Sequence, residues 1–505
     1  MAAPIALRLH KNDNVVVARM DILPGTEVEG DAVAATRIPP GHKILTRAVK
    51  KGEPLRKYNQ IIGFATDDLA PGSHIHTHNC AMGDFERDYA FCADAHPTDF
   101  IRAEERATFQ GYRRPDGRAA TRNYVGIVTT VNCSAATSRM IAAKLEPLLG
   151  AFPNIDGVVP LTHGGGCGMA ASGVEMDVLR RTLAGYARHP NMAAVVVLGL
   201  GCETNQISGL MNAEGLKEGP KLIPMAIQDE GGVARTVMRA VGFLKELLPE
   251  ANEVKREAIP ASELILALQC GGSDGYSGIS ANPALGAAVD LLVRNGGTAV
   301  LSETPEIYGA EHLLTRRAAS RNVGEKLVRR IKWWEEHCAR TGGEMNNNPS
   351  PGNKAGGLTT ILEKSLGAVA KGGTTNLVEV YEYAQPITAK GFVYMDSPGY
   401  DPVSATGQVA GGANVLCFTT GRGSVFGCKP TPSLKLATNT SLFRRMTDDM
   451  DINCGAIVDG EESILESGKK IFELILKTSS GQKTKSELLG IGDDEFEPWK
   501  IGATM

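Results

Sequence analysis

At 505 residues the chain is several times the length of a typical domain, so two to four compact units are expected, each burying its own core. Its 53 Lys and Arg nearly balance 57 Asp and Glu, giving a formal net charge of -4, and no basic run offers a nucleic-acid stripe or a membrane patch. The longest apolar stretches, such as Ala193 to Leu200, are too short to span a bilayer, and the opening MAAPIALRLHKNDN lacks the pattern of a signal peptide.

A cytoplasmic protein is therefore expected, a homo-oligomer with neither nucleic acid nor membrane as a partner. Ten cysteines are sparse in so long a chain, so reduced thiols are the default. The 58 glycines exceed ordinary usage and gather beside Cys, His, Asn and Thr, where backbone must approach something closely.

Residues 1–82 read as a small β-rich module. Short apolar runs at Val15–Ala18, Lys43–Leu45 and Ile61–Phe64 alternate with LPGTEV, PPGHKI and APGSHI, whose Pro-Gly pairs suit the centre of type II turns. Residues 83–118 carry no sustained period and read as a polar linker lying over the next domain. A strand, a glycine-rich loop and a helix then recur in that order, which predicts an α/β fold with largely parallel sheets and right-handed crossovers.

In the first α/β unit, 119–255, the strands Tyr124–Thr130, Val158–Leu161, Ala194–Leu198 and Leu222–Ile227 lead into Asn132-Cys133-Ser134, HGGGCG at His163, GLGCE at Gly199 and Gln228-Asp229. A second unit, 256–375, has strands Leu264–Gln269 and Thr298–Leu301 and a long helical stretch from Ala310 to Cys338. A third, 376–505, has strands Leu377–Val380, Gly391–Met395 and Asn414–Thr419 and a helix near Glu462–Leu476.

Ligands of open parallel sheets bind beyond the carboxyl ends of the strands, and nearly every unusual cluster falls at such an end. Asn132, His163, Cys167, Cys202, Cys270, Asp274, Glu303, Asp396 and the Thr419–Gly423 loop are thus expected to share one or two clefts.

The sharpest local pattern is His74-Ile75-His76-Thr77-His78-Asn79. Alternate side chains of a strand share a face, so His74, His76 and His78 are expected to project together as ligands of a divalent metal. Cys167, Cys202 and Cys270 each sit at a glycine turn after an apolar strand and are candidate thiolate ligands. An iron–sulfur cluster is a further candidate cofactor, although no CxxC spacing supports it and small buried thiols at tight turns are the competing reading. Cys133 and the remaining cysteines read as packing or incidental thiols.

Arg422 in TTGRGS and Arg122-Asn123 are candidate carboxylate clamps, because a guanidinium fork matches a carboxylate bidentately. Thr419 and Thr420 share the Arg422 loop. The amide-rich loop NNNPSPGNK, with Asn353 and Lys354, suits a polyhydroxylated ligand.

HIHTHN at His74, TRNYVGI at Thr121, HGGGCG at His163, GLGCE at Gly199, QCGGSDGYSG at Gln269, NNNPSPGNKAGGL at Asn346 and FTTGRGS at Phe418, taken in order, resemble the altronate and galactarate dehydratases. That family also includes sulfolactate sulfo-lyases and is described as carrying an N-terminal SAF (antifreeze-like) module. SETPEIYGAEHLLTRRA from Ser302 and ATGQVAGGANVLCFTTGRGSVFGC from Ala405 look more like the altronate branch.

The resemblance implies a hydro-lyase that converts altronate to 2-keto-3-deoxygluconate, with iron(II), or alternatively manganese(II), as the activating metal. Galactarate dehydration and sulfolactate cleavage are the enzymatic alternatives, and a noncatalytic sugar-acid binding protein is a remote one. Fusion of module and body in one chain argues against the sulfo-lyase, whose parts are usually separate subunits.

Dehydration needs a base for the C2 proton, an acid for the 3-hydroxyl and charge stabilisation for the enediolate. The expected roles are His74, His76 and His78 on the metal, Arg422 and Lys354 on the carboxylate, and His163 or Tyr308 in proton transfer.

Overall fold

The computed structural model describes residues 4–502. The N-terminal module contains a four-stranded antiparallel sheet in the order Ala6–Leu7, Val15–Ala18, Lys43–Leu45, His74–Ile75, and a smaller sheet of Pro54–Lys57, Gln60–Ala65 and Cys80–Ala81. The Pro-Gly turns behave as the sequence predicts. Gly41 and Gly72 adopt φ of +81° and +85°, and a Cβ on Gly72 would fall 1.8 Å from the Val33 carbonyl oxygen, so only glycine fits there.

The segment 83–118 is more structured than a linker. Arg87 pairs with the buried Glu311, the amides of Cys92 and Asp94 donate to the carbonyls of Thr315 and Arg316, and Thr108–Arg113 forms a strand antiparallel to Glu257–Pro260. It is a strap across the C-terminal body, held by backbone bonds that hydropathy does not register.

The first α/β unit has a four-stranded parallel sheet, with Tyr124–Thr129 between Gly157–Leu161 and Met192–Gly199 and with Leu222–Ala226 at the edge. Its helices cover both faces. Val233–Glu253 buries Val237, Ala240, Leu244 and Leu248 at helical spacing, and Val174–Ala187 turns Met176, Leu183 and Tyr186 inward.

The stretches 256–375 and 376–505, expected as separate units, build one sheet. Seven parallel strands run in the order Leu377–Tyr381, Gly391–Met395, Thr298–Leu301, Ile265–Cys270, Val415–Thr420, Ser433–Ala437, Ile452–Asn453. Chain order alone cannot separate one sheet that reverses direction from two sheets in series. The chain leaves Ile265–Cys270 toward one edge and returns on its other side as Val415–Thr420, so the order reverses between those two strands. That is where a parallel sheet opens a crevice.

The module is not a loose appendage. Val15, Leu45, Leu55, Ile62 and Ile75 belong to the same buried cluster as Ile361, Leu366 and Leu268 of the C-terminal body. No described helix is long and apolar enough to cross a membrane.

Candidate active site

At the sheet reversal, the loops after Ile265–Cys270 and Val415–Thr420 are tied together, because the amides of Gly421 and Arg422 both donate to the Gly272 carbonyl, at 3.0 and 2.8 Å. Asp274 lies buried beneath them, accepting from Thr438 Oγ1, Asn439 Nδ2, Ser277 Oγ and the Tyr276 amide. The loop Asn346–Gly357 closes over this floor: Asn353 Nδ2 donates to the Ser273 carbonyl at 2.9 Å, and the Gly275 amide to the Gly356 carbonyl at 2.8 Å. A Cβ on Gly356 would stand 3.2 Å from Arg422 Cδ and 3.3 Å from the Asn353 carbonyl oxygen, so the Arg422 loop lies against the loop that carries Asn353 and Lys354. Thr419 and Thr420 are buried in the floor, bonding Asn282 and the Gly423 amide, and they support Arg422 rather than face a ligand.

Across the same loop stand four imidazoles. The strand expected through His78 ends at Ile75, and a turn stapled by Asn79 carries the chain on, with Asn79 accepting from the His76 amide and donating to the His74 carbonyl. Alternation therefore does not gather the histidines. The turn does, together with His42, which the antiparallel register of Ile44 opposite His74 brings alongside and which sequence reading left inside a PPGHKI turn.

Ring centroids of His42, His74 and His76 lie 4.9–5.5 Å apart, and His78 is 5.6 Å from His74. His42 Nδ1 and His74 Nε2 face each other at 3.0 Å. The carbonyls of Ala355 and Lys354 lie 3.3 and 2.8 Å from Nε2 of His42 and His76. A carbonyl takes the N–H of each of these two rings and fixes its tautomer, which is how backbone orients histidine ligands, while the opposite Nδ1 of His42 meets His74 Nε2 and that of His76 meets Thr77 Oγ1 at 3.1 Å. Burial lowers the pKa of His42 to about 4 and of His74 to about 3, the neighbouring rings adding to the effect on His74, and it lowers His76 as well. Three neutral imidazoles are donors of the type a divalent first-row metal takes, but no three of their nitrogens, one from each ring, lie within 4.8 Å of one another, so the rings would have to close in to share one ion.

At the Asn346–Gly357 loop opens a cavity of about 540 Å³, lined by Cys270, Glu306, Asn347, Asn348, Asn353, Lys364 and Asp401 among others. Lys364 Nζ donates to Glu306 Oε1 at 2.7 Å and to Asn348 Oδ1 at 2.8 Å. Burial opposes the Lys364 charge, but Glu306 outweighs it and the ammonium is held above its ordinary pKa. Asp401 is raised to about 7, first by burial and then by the Glu306 charge. A Cβ on Gly271 would fall 2.3 Å from Asp401 Oδ2, so the glycine makes room for the carboxylate.

Cys270, Glu303 and Glu306 are, among the described residues, the one group of three ligand-type side chains whose donor atoms all lie within 4.8 Å of each other. Two ammoniums already balance it, Lys364 on Glu306 and Lys371 on Glu303, and burial pushes the Cys270 thiol up to about 12. These residues fit a proton-handling site better than a metal site.

Other expected site residues lie elsewhere. Arg122 and Asn123 are buried structural ties: Arg122 binds Glu487 at 2.6 and 2.8 Å and three carbonyls, and Asn123 bonds the Asn154 and Ala251 carbonyls and the Asp156 carboxylate. A guanidinium whose donors are so engaged is no substrate clamp. His163 lies in the first α/β unit with Nε2 3.0 Å from the Thr129 carbonyl and Nδ1 accepting from the Gly165 amide, so neither nitrogen is free for proton transfer. Tyr308 donates to Glu335 at 3.0 Å beneath the Arg87 guanidinium and does not line the cavity. Cys167 and Cys202 are exposed in the first unit, remote in the fold from the buried Cys270. The expected clefts are therefore two, one at each sheet.

Sequence reading missed His42, Glu306, Lys364 and Asp401. A lysine inside the apolar helix Ile361–Ala370 was the one available signal.

Residues 4–83 match the altronate/galactarate dehydratase SAF domain, 111–252 the D-galactarate dehydratase/altronate hydrolase second domain, and 261–504 the D-galactarate/altronate dehydratase C-terminal domain. The chain is 35% identical to the altronate dehydratase of Bacillus subtilis, over 99% of each chain. The chain belongs to the altronate/galactarate dehydratase family. It is also 37% identical to the galactarate dehydratase (L-threo-forming) of Escherichia coli, over 94% of this chain and 93% of that one. The β subunit of a (2R)-sulfolactate sulfo-lyase from Chromohalobacter salexigens is 33% identical over 76% of this chain and 95% of its own. Dehydratases are hydro-lyases, and this chain is an enzyme of that class.

Proposed function

We propose that the protein dehydrates a sugar acid, D-altronate in the favoured reading, to 2-dehydro-3-deoxy-D-gluconate and water, with iron(II) or manganese(II) held by His42, His74, His76 and His78. The observation that carries this reading is the polar cavity at the sheet reversal, lined by Lys364, Glu306 and Asp401 and linked to the imidazoles through one loop, whose Asn353 lines the cavity and whose Lys354 carbonyl meets His76. A bound divalent cation would act as a Lewis acid toward substrate oxygens.

The protein's own groups supply the rest. Arg422 and Lys354, on loops that adjoin the cavity, are assigned to the substrate carboxylate, and the cavity-lining amides of Asn347 and Asn348 to its hydroxyls. Asp401, poised near neutrality, takes the C2 proton. The Lys364 ammonium stabilises the developing enediolate and protonates the departing 3-hydroxyl, which leaves as water. The enol then tautomerises to the 2-keto-3-deoxy acid.

Altronate is favoured by the motifs from Ser302 and Ala405 and by the full-length match to an altronate dehydratase. Anaerobic assays of the metal-loaded enzyme against hexonates and hexarates, reading 2-keto-3-deoxy acid, test the assignment. Selective turnover of galactarate would replace the substrate. Sulfite release from sulfolactate without sugar-acid turnover would replace the reaction, and ligand binding without turnover would replace catalysis altogether.

A further inference from the structure

Of the ten cysteines, five are buried, two are half-buried and three, Cys133, Cys167 and Cys202, are exposed. Free cysteine is ordinarily among the most buried residue types, so three exposed thiols call for a reason. All three lie at the carboxyl ends of adjacent parallel strands of the first α/β unit, Cys133 after the central Tyr124–Thr129, Cys167 after Gly157–Leu161 and Cys202 after Met192–Gly199.

Their loops are bound directly to one another. The Asn132 amide donates to the Gly165 carbonyl at 3.1 Å, and the Asn205 amide to the Gly166 carbonyl at 3.0 Å. Asn205 Nδ2 reaches the Thr130 carbonyl at 3.2 Å, and Asn132 Nδ2 the His163 carbonyl at 3.3 Å. Gly166 packs so tightly on Thr130 and Val131 that a Cβ would fall 2.2 Å from the Thr130 carbonyl oxygen. Glu203, 2% exposed, pins the third loop by accepting from the Leu200 and Gly201 amides and from Thr130 Oγ1. His163, unfit as a base, completes the frame from within. Three loops so fastened carry their three exposed thiols at one end of the sheet.

The three sulfurs do not all fall within 4.8 Å of one another. Thiolates sharing one tetrahedral zinc, at about 2.3 Å from the metal, would stand only about 3.8 Å apart. A cluster, in which each thiolate binds a different iron, takes a wider set. Two cations meet these loops: Arg180 Nε donates to Asn205 Oδ1 at 3.1 Å, and Lys500 Nζ lies 3.2 Å from a Cβ built on Gly164. They offset the negative charge that three thiolates and bridging sulfides would carry. Gln228 Nε2, 3.4 Å from Cys202 Sγ, supplies a hydrogen bond to a sulfur.

We infer that Cys133, Cys167 and Cys202 form a three-thiolate site for an iron–sulfur cluster of the cubane type, with the fourth iron free of protein thiolate and open to a small oxygen ligand. Cys270, buried in the other sheet, takes no part. CxxC spacing is absent because the ligands come one from each strand–helix repeat. The inference stands apart from the sugar-acid reading, since it uses none of the residues of the histidine cluster or the cavity.

The test is spectroscopic and independent of turnover. Full-length protein, prepared and reconstituted anaerobically with iron and sulfide, is expected to show broad sulfide-to-iron absorption near ~400 nm and to bind ~4 iron and ~4 acid-labile sulfide per chain. Cys133→Ala, Cys167→Ala and Cys202→Ala should each lose most of the sulfide and the absorption while keeping the wild-type circular dichroism, and Cys338→Ala should retain both. Reconstituted wild-type protein without labile sulfide, or a cluster that survives the triple alanine variant, overturns the inference.

Discussion

Replacing Glu363 by Gln tests how the N-terminal module is held against the catalytic body. Glu363 lies 1% exposed between Lys43 Nζ at 2.8 Å and Lys57 Nζ at 3.0 Å, both from the module and both no more than 1% exposed. Its Oε2 also accepts from the Thr359 amide and hydroxyl. Although burial raises a carboxyl pKa, the two ammoniums hold Glu363 down at about 2. The glutamine keeps the volume but leaves two buried ammoniums facing a neutral amide, one of whose ends is a donor. Breaking a buried pair in this way costs about 3–5 kcal/mol.

The assay is urea unfolding at neutral pH, with limited proteolysis of the 83–118 strap reporting release of the module. Because burial already lowers the Lys43 pKa, raising the pH should let that lysine discharge and recover part of the loss in the variant. For wild type the sign is opposite at low pH: a depressed carboxyl contributes stability above its unfolded pKa of about 4.3, which is lost as pH falls toward 2. A loss below about 1 kcal/mol in the variant, with strap cleavage unchanged, would refute the clamp.

Asp401→Asn should lower kcat by about 10²–10⁴ with the fold intact, and the wild-type kcat/KM should rise with pH through about 7 as Asp401 ionises, a limb absent in the variant. His42→Ala, remote in sequence from HIHTHN, should weaken divalent-metal affinity about 10–100-fold by equilibrium dialysis, and chelation of wild type should abolish turnover. Arg122→Met should destabilise the protein by about 3–5 kcal/mol through the stranded Glu487 while leaving KM unchanged in the folded fraction, whereas a raised KM would return Arg122 to the substrate.

Local pattern carried much of this protein. Pro-Gly turns fall where φ must be positive, apolar runs became strands, and chemistry-bearing residues collected at strand ends, because backbone sterics and hydrophobic periodicity act over a few residues. What depended on pairing between distant segments was not legible. His42 joins HIHTHN through antiparallel register, Cys133 joins Cys167 and Cys202 because three strands lie side by side, and two apparent units merge because Val415–Thr420 returns beside Ile265–Cys270.

Arg422 and Arg122 show the same limit from the other direction. Both sit in motifs suited to a clamp, yet one reaches the site loop and the other is 0% exposed beside Glu487. Residue type and spacing by themselves determined which groups could do chemistry here. Tertiary structure decided their environments, because burial and neighbouring charge, set by segments far apart in the chain, raise the Asp401 carboxyl to about 7 and lock the Arg122 guanidinium into an ion pair.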